Sequence, residues 1–406
     1  MEAPSKPNII TIPTPSNLLA TSVEPWRKLQ SDNSELTSVY VVATGADRQI
    51  HLRHVLGGNG GGSSEGITLS GLSDSPILSY VSVHGGEYIF LTNMSGQLLL
   101  MEGSEVADSR RDHKKYAVKV IAHEASTEEG GNGGILVATA GWDGKIFVYH
   151  ANVGSGADRI GDPVAFIDLP TNPESIVFTK HPESGQLILL ASRRDSTDLY
   201  YYRIEQPHPP PSDGPREGYE SELLKPIGKQ NLAPHSIAWV TFSPSCLAIS
   251  PNDPGLLAVA TSTTPHMKAI IVRLLFPEND DDQKDRHHET HFSQAMAALS
   301  LQNREDAAIH IQTNTFAPQT DYSTPQVAWR PDGSGIFVNG DDGVIRGVET
   351  RTGKVVCILK DGHQIGSKIR TIWAGWVDVL EEDGTIKKEE WLVSGGFDKR
   401  LIVWRI

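Results

Sequence analysis

The chain has 406 residues, 36 Lys and Arg against 50 Asp and Glu, and a formal net charge of −14, a length beyond one ordinary compact core. The acidic balance and the lack of a long basic tract argue against direct nucleic-acid binding, and two cysteines, Cys246 and Cys357, exclude a disulfide framework or a multi-cysteine zinc site. No apolar run approaches the roughly 18 residues that span a bilayer and no secretion signal opens the chain, so a soluble protein of the cytoplasm or nucleus is expected.

In chain order, the first apolar segment, Asn8 to Pro13, reads as a short strand without a hairpin partner. A recurring unit follows: an apolar strand, a tight turn usually centred on Asp, and a second apolar strand. It appears from Tyr40 to Leu52 around Asp47, from Ile89 to Leu98 around Ser95, and from Ile135 to Tyr149 around Asp143. Four more centre on Asp195, Thr264, Asp342 (Gly335 to Val348) and Asp398 (Trp391 to Trp404). First strands are expected upstream at Ser175 to Pro182, Ile237 to Pro244, Pro325 to Gly333 and Lys368 to Trp373, where Pro, Asp and Gly supply turn chemistry. Fourth strands are expected downstream at Gly66 to Leu69, Val164 to Leu169, Ile309 to Thr313 and Lys354 to Leu359. Seven units of four antiparallel strands make an all-β chain folded as one seven-bladed propeller over residues 1–406. The last unit stops on its third strand at residue 406, so residues 8–13 are expected to pair with residues 400–406 and close the ring, sparing an open edge.

Unit seven carries Gly362-His363, Ser394, Asp398 and Trp404, and unit three carries Thr139, Asp143 and Tyr149, with His123 as its candidate histidine. Units one and six keep the turn Asp but place Arg53 and Val348 at the tryptophan position. In these residues the chain resembles the WD-repeat family, whose blades join Gly-His, Ser or Thr, Asp and Trp in a buried hydrogen-bond network. The resemblance implies a structural role for Asp143 and Asp398 and a non-catalytic scaffold or adaptor subunit that binds other proteins in a larger complex, without cofactor or metal. It also raises two alternatives. One is a substrate receptor of a cullin-type ubiquitin ligase, for which Val348-Glu-Thr-Arg351 approximates the family motif. The other is a propeller enzyme with an axial site, for which the recognisable first strands offer mostly Ile, Val, Ala, Trp and Phe.

Surplus length collects in insertions at 57–66, 124–134, 205–218, 278–306 and 381–388, between strands one and two or three and four, so they share one face of the disc. Trp142 and Phe397 belong to turns on the opposite face and are candidate partner contacts. In the longest insertion, Phe292, Met296 and Leu299 fall on one side of an expected short helix, which either docks on a partner or packs on its own propeller. His287 and His291 stand four apart but lack the glutamate spacing of a metalloprotease helix. The cluster Ser109 to Tyr116, with Arg110 and Arg111, is the one basic patch and could steer an acidic partner. Gly62 to Gly66 has the letters of a nucleophile elbow, yet a strand rather than a helix is expected after it, and the sequence holds no phosphate-binding loop.

Overall fold

The computed structural model describes residues 8–26, 38–55, 63–124, 134–153, 159–205, 221–235, 242–277, 291–380 and 385–406. Its strands form seven sheets, each built on four antiparallel strands. Blade three gains a short fifth strand, Glu222–Leu223, which pairs in parallel with Pro163–Asp168. From blade one to blade seven the inner strands are Leu18–Trp26, Ile77–Val83, Ala117–Glu124, Pro173–Lys180, Pro244–Ile249, Val327–Trp329 and Ile369–Leu380. Each is followed by its second strand through a hairpin, in a ring of antiparallel meanders.

The core lies between blades rather than within them. Leu136 and Ala138 of blade three pack on Leu187 and Leu189 of blade four; Leu190 and Tyr201 of blade four pack on Leu257 and Val259 of blade five. Every neighbouring pair around the ring shares such a cluster. Both faces of a second strand are therefore covered. Tyr88–Asn93 and Ile135–Gly141 are buried along their whole length, which is why they read as continuous apolar runs instead of alternating ones.

Blade seven closes the ring. Asn8–Pro13 pairs antiparallel with Arg400–Arg405, setting Ile9 opposite Trp404 and Ile12 opposite Leu401. Ile10 and Ile12 are buried with Val41 of blade one and Trp391 of blade seven, so the added strand supplies both an edge and a part of the core. The Thr14 N–H donates to Lys399 O at 2.9 Å and continues the ladder past Pro13.

Two expectations need correction. The described inner strand of blade five is Pro244–Ile249, later in the chain than the expected run Ile237 to Pro244: Cys246 to Ile249 pair with Ala260 to Leu257, while residues 236–241 lie outside the described part. The ladder opens at a proline, which has no N–H to donate inside a sheet. Two insertions are also shorter than the sequence suggests. Residues 63–66 already belong to the strand Ser63–Leu69, and residues 386–388 lengthen Ile386–Gly396 in a hairpin with Ile369–Leu380. Residues 57–62, 125–133, 206–220, 278–290 and 381–384, His287 among them, lie outside the described part.

The longest insertion ends in the helix His291–Ala308. Its buried side is Glu305 and Ala308: Glu305 Oε1 accepts the Asn231 N–H at 2.7 Å, and Gln302 Nε2 donates to Pro234 O at 2.6 Å. The helix thus rests on blade four through polar bonds, while Met296 and Leu299 are half exposed. The Phe292 and His291 side chains lie outside the described part.

Ion pairs fasten the last two blades. Arg330 of blade six grips Glu390 of blade seven with Nε to Oε1 at 2.7 Å and Nη2 to Oε2 at 2.5 Å. Next to it, Arg405 Nε and Nη2 bond both oxygens of Glu389 at 2.8 and 2.7 Å. The Arg405 guanidinium, helped by Trp391 Nε1, holds the Glu389 carboxyl at about 2 although burial works to raise it. A depressed carboxyl stabilises the fold above its ordinary range and loses that contribution as pH falls toward the folded value. Stability is therefore expected to drop between about pH 4.5 and 2, with on the order of 2 kcal/mol owed to Glu389. Glu389→Gln should flatten that part of a urea-midpoint profile; an unchanged slope would place the acid sensitivity elsewhere.

Candidate interaction face and axial channel

Two blades hold the four-residue network. In blade seven, His363 Nδ1 lies 3.1 Å from Asp398 Oδ1 and its Nε2 lies 2.9 Å from Ser394 Oγ, which accepts the Trp404 indole N–H at 2.9 Å. The Gln364 N–H donates to Asp398 Oδ2 at 2.8 Å. Burial pushes the Asp398 carboxyl up, but the bonds from His363 and Gln364 outweigh it and hold the group below its usual range. Gly396 is required here, since a Cβ would stand 2.8 Å from His363 Nδ1.

Blade three repeats the arrangement with a different histidine from the one expected. His113, not His123, sits 2.9 Å from Asp143 Oδ1 and 2.9 Å from Thr139 Oγ1. His123 lies on the inner strand opposite Leu136, too far along the blade to reach the turn. Tyr149, at the tryptophan position, donates its hydroxyl to Asp112 Oδ2 at 3.1 Å, and its phenol also hydrogen-bonds Thr139, the counterpart of Ser394. The basic cluster is accordingly the connection that delivers His113. Arg110 is committed to Asp112 and Asp162 at 3.0 and 2.9 Å, and Arg111 Nε donates to Ser95 O at 2.8 Å.

Where the histidine is missing, the turn carboxylate takes a partner four residues on. Asp47 meets His51 Nε2 at 3.1 Å in blade one, and Asp342 meets Arg346 Nη2 at 2.7 Å in blade six. In blade two Asn93 replaces it, accepting the Ser95 and Gln97 N–H groups at 3.1 and 2.9 Å. Arg53 and Val348 accordingly do not act as the indole does. Arg53 Nη1 donates to Leu52 O at 3.1 Å, and Val348 is core.

The turns between second and third strands share one face with the connections between blades, because an antiparallel meander returns to that side every second strand. Trp142 and Phe397 occupy two such turns at 39 % and 42 % exposure, and Tyr322, at 90 %, stands in the connection before blade six. Tyr116 supports Trp142, with ring centroids 5.1 Å apart. Trp142, Tyr322 and Phe397 all line the mouth of the axial channel, a cavity of about 940 Å³.

The channel wall has a regular feature that period-two reading of the strands does not reveal. In six inner strands the register slips near the start, leaving one unpaired residue: Leu19, Leu78, Val118, Glu174, Ser245 and Arg370. A bulge of this kind re-aims its side chain, and all six line the channel. The hydroxyls beside them stitch blades together. Ser79 Oγ accepts the Val120 N–H at 3.2 Å, Ser175 Oγ the Leu247 N–H at 3.2 Å, and Thr371 Oγ1 the Thr21 N–H at 3.1 Å. The channel is thus more polar than the expected Ile, Val, Ala, Trp and Phe. Farther along blade one, Glu24 Oε1 accepts the Ser22 hydroxyl at 2.7 Å and Oε2 accepts that of Ser82, with burial raising its carboxyl against both bonds.

Residues 229–405 match a family model described as a β-propeller domain. The match runs from the outer strand of blade four through blade seven, the stretch that holds the complete network of His363, Ser394, Asp398 and Trp404. No curated protein matches the chain. No described helix is long and apolar enough to cross a membrane.

Proposed function

We propose that the chain is a WD-repeat-type interaction platform without catalytic activity, an adaptor subunit that meets its protein partner with the face around the channel mouth. The observation that carries this reading is the gathering of Trp142, Phe397 and Tyr322 at one opening, each from a different blade and each left substantially exposed by a fold that buries most of its other large rings. Exposed aromatics on a rigid support are the usual anchors of protein recognition. The networks at Asp143 and Asp398 serve the same end structurally, since they fix the turns on which Trp142 and Phe397 stand. Arg110 has no part in the proposal because two carboxylates already hold it. The Met296 and Leu299 face of the helix would be a secondary contact. The buried free thiols of Cys246 and Cys357 suit a reducing compartment, the cytoplasm or nucleus.

A comparison of the proteins that co-purify from the native cell tests this. Trp142→Ala with Phe397→Ala should abolish the partners recovered with the wild-type chain, each anchor contributing about 2 kcal/mol, while Met296→Ser with Leu299→Ser should leave the central partner in place. An unchanged set after the aromatic substitutions would move the interface off this face.

A further inference from the structure

One arginine in the channel wall has no partner among the described residues. Arg370, the bulge residue of blade seven, lines the cavity with its neighbours Ile369 and Thr371 buried on either side. Among the described residues no carboxylate, carbonyl or ring partners its guanidinium, although the other arginine of the channel, Arg194, is bound to Glu174 at 2.7 Å. A recessed guanidinium without a partner is costly to keep, and burial lowers Arg370 to about 10.

The surroundings narrow what would satisfy it. Following the ring from Arg370, the next three bulge residues are Leu19, Leu78 and Val118, an apolar arc over blades one to three. The charged side chains of the channel are Arg370, Lys119 and Arg194 against Glu24, Glu174 and Asp321. The two sets balance, so the cavity has no net field to draw in a polyanion, and a dianionic phosphate would meet the three carboxylates with the Arg370 fork and the Lys119 ammonium to hold it. A single carboxylate matches that fork in charge and geometry.

We propose that the channel mouth is a receptor for one aspartate or glutamate side chain of a protein partner, gripped by Arg370, with an adjacent apolar side chain of the same segment laid on Leu19, Leu78 and Val118. The proposal rests on the platform reading above and gives that platform its ligand chemistry. Trp142, Phe397 and Tyr322 border the opening and would cover the segment from outside.

The full-length protein, immobilised, is used to select from a displayed library of random seven-residue peptides, in parallel with Arg370→Met and Arg370→Lys. Wild-type selection should enrich one Asp or Glu next to apolar residues, and Arg370→Met should lose the acidic preference while retaining the apolar one. A capped peptide of the wild-type consensus should bind about thirtyfold more weakly when its Asp is changed to Asn, and by a similar factor to Arg370→Met. Because the Asp-to-Asn comparison uses the unaltered protein, it stands even where Arg370→Met fails to fold. Enrichment without a carboxylate, equal binding of the Asn peptide, or tighter binding of a phosphoserine peptide would each overturn the proposal and leave the platform standing. Selection of no peptide at all would overturn both.

Discussion

Deleting residues 1–13 should lower the stability of the whole ring by about 4 kcal/mol, read as a fall in the urea midpoint. Two contributions add. Ile10 and Ile12 leave a cluster that spans blades seven and one, and burial of an isoleucine side chain contributes about 1.5–3 kcal/mol. The strand also pairs with Arg400–Arg405 along its full length, so its removal turns the third strand of blade seven into an open edge. The consequence reaches beyond one blade, since blade seven is tied to blade one by the Thr371 bond to the Thr21 N–H and to blade six by the Arg330–Glu390 pair. A ring opened at one joint loses cooperativity as well as free energy, so the denaturant slope should change together with the midpoint. Ile12→Ala, which keeps the backbone ladder, separates the two effects: it should cost about 2–4 kcal/mol with the slope unchanged. A truncated chain with wild-type midpoint and slope would mean that the strand is ornamental.

The ring was legible because second strands such as Ile135–Gly141 are covered on both faces and so carry unbroken apolar runs, each ending in a polar turn. The inner strands were harder. They are bulged, they line a polar channel, and in blade six only Val327–Trp329 is regular, so neither the period of two nor apolar content marks them. In blade five the signal is Pro244, since a proline sits naturally at the start of a strand and the inner strand Pro244–Ile249 begins there.

The candidate site was legible only in its outer half. Trp142 and Phe397 are visible as aromatics next to turn aspartates, and their positions at the channel mouth follow from the meander. Arg370 gives no such signal: it stands in an ordinary-looking run, Lys368 to Trp373, and becomes distinctive only once the bulge aims it into the channel. His113 was missed because the cluster around it reads as surface charge, yet His113 stands four residues after Ser109 and one before Lys114, where the connection between blades must cross the turn of Asp143. A histidine in such a connection, at whatever distance from a Gly-His pattern, is the signal to seek.

Asp398→Ala should destabilise the protein by about 3 kcal/mol, well beyond the same change at Asp47. Both aspartates occupy the same turn, but their side-chain exposures are 0 % and 21 %. In blade seven the loss strands a chain of buried polar groups: His363 Nδ1 and the Gln364 N–H lose their acceptor, and His363 no longer holds Ser394 in place to receive the Trp404 N–H. Buried groups left without partners cost about 1–3 kcal/mol each. In blade one the loss frees His51, which retains a contact with Thr68 Oγ1 at 3.4 Å, and the turn reaches solvent that can replace the missing bonds. The expected cost there is about 1 kcal/mol. Coupling decides between a network and a set of independent bonds. With His363→Ala added to Asp398→Ala, the double variant should lose little more than either single one, an interaction of about 2 kcal/mol in a double-mutant cycle. The pH dependence follows the same logic: Asp398 is held below its ordinary range, so its contribution is complete above about pH 4 and lost as pH falls. Strict additivity of the two substitutions, or an Asp398→Ala protein as stable as the wild type, would show that blade seven is held by its apolar core and that the polar network only marks the place where the turn of Phe397 begins.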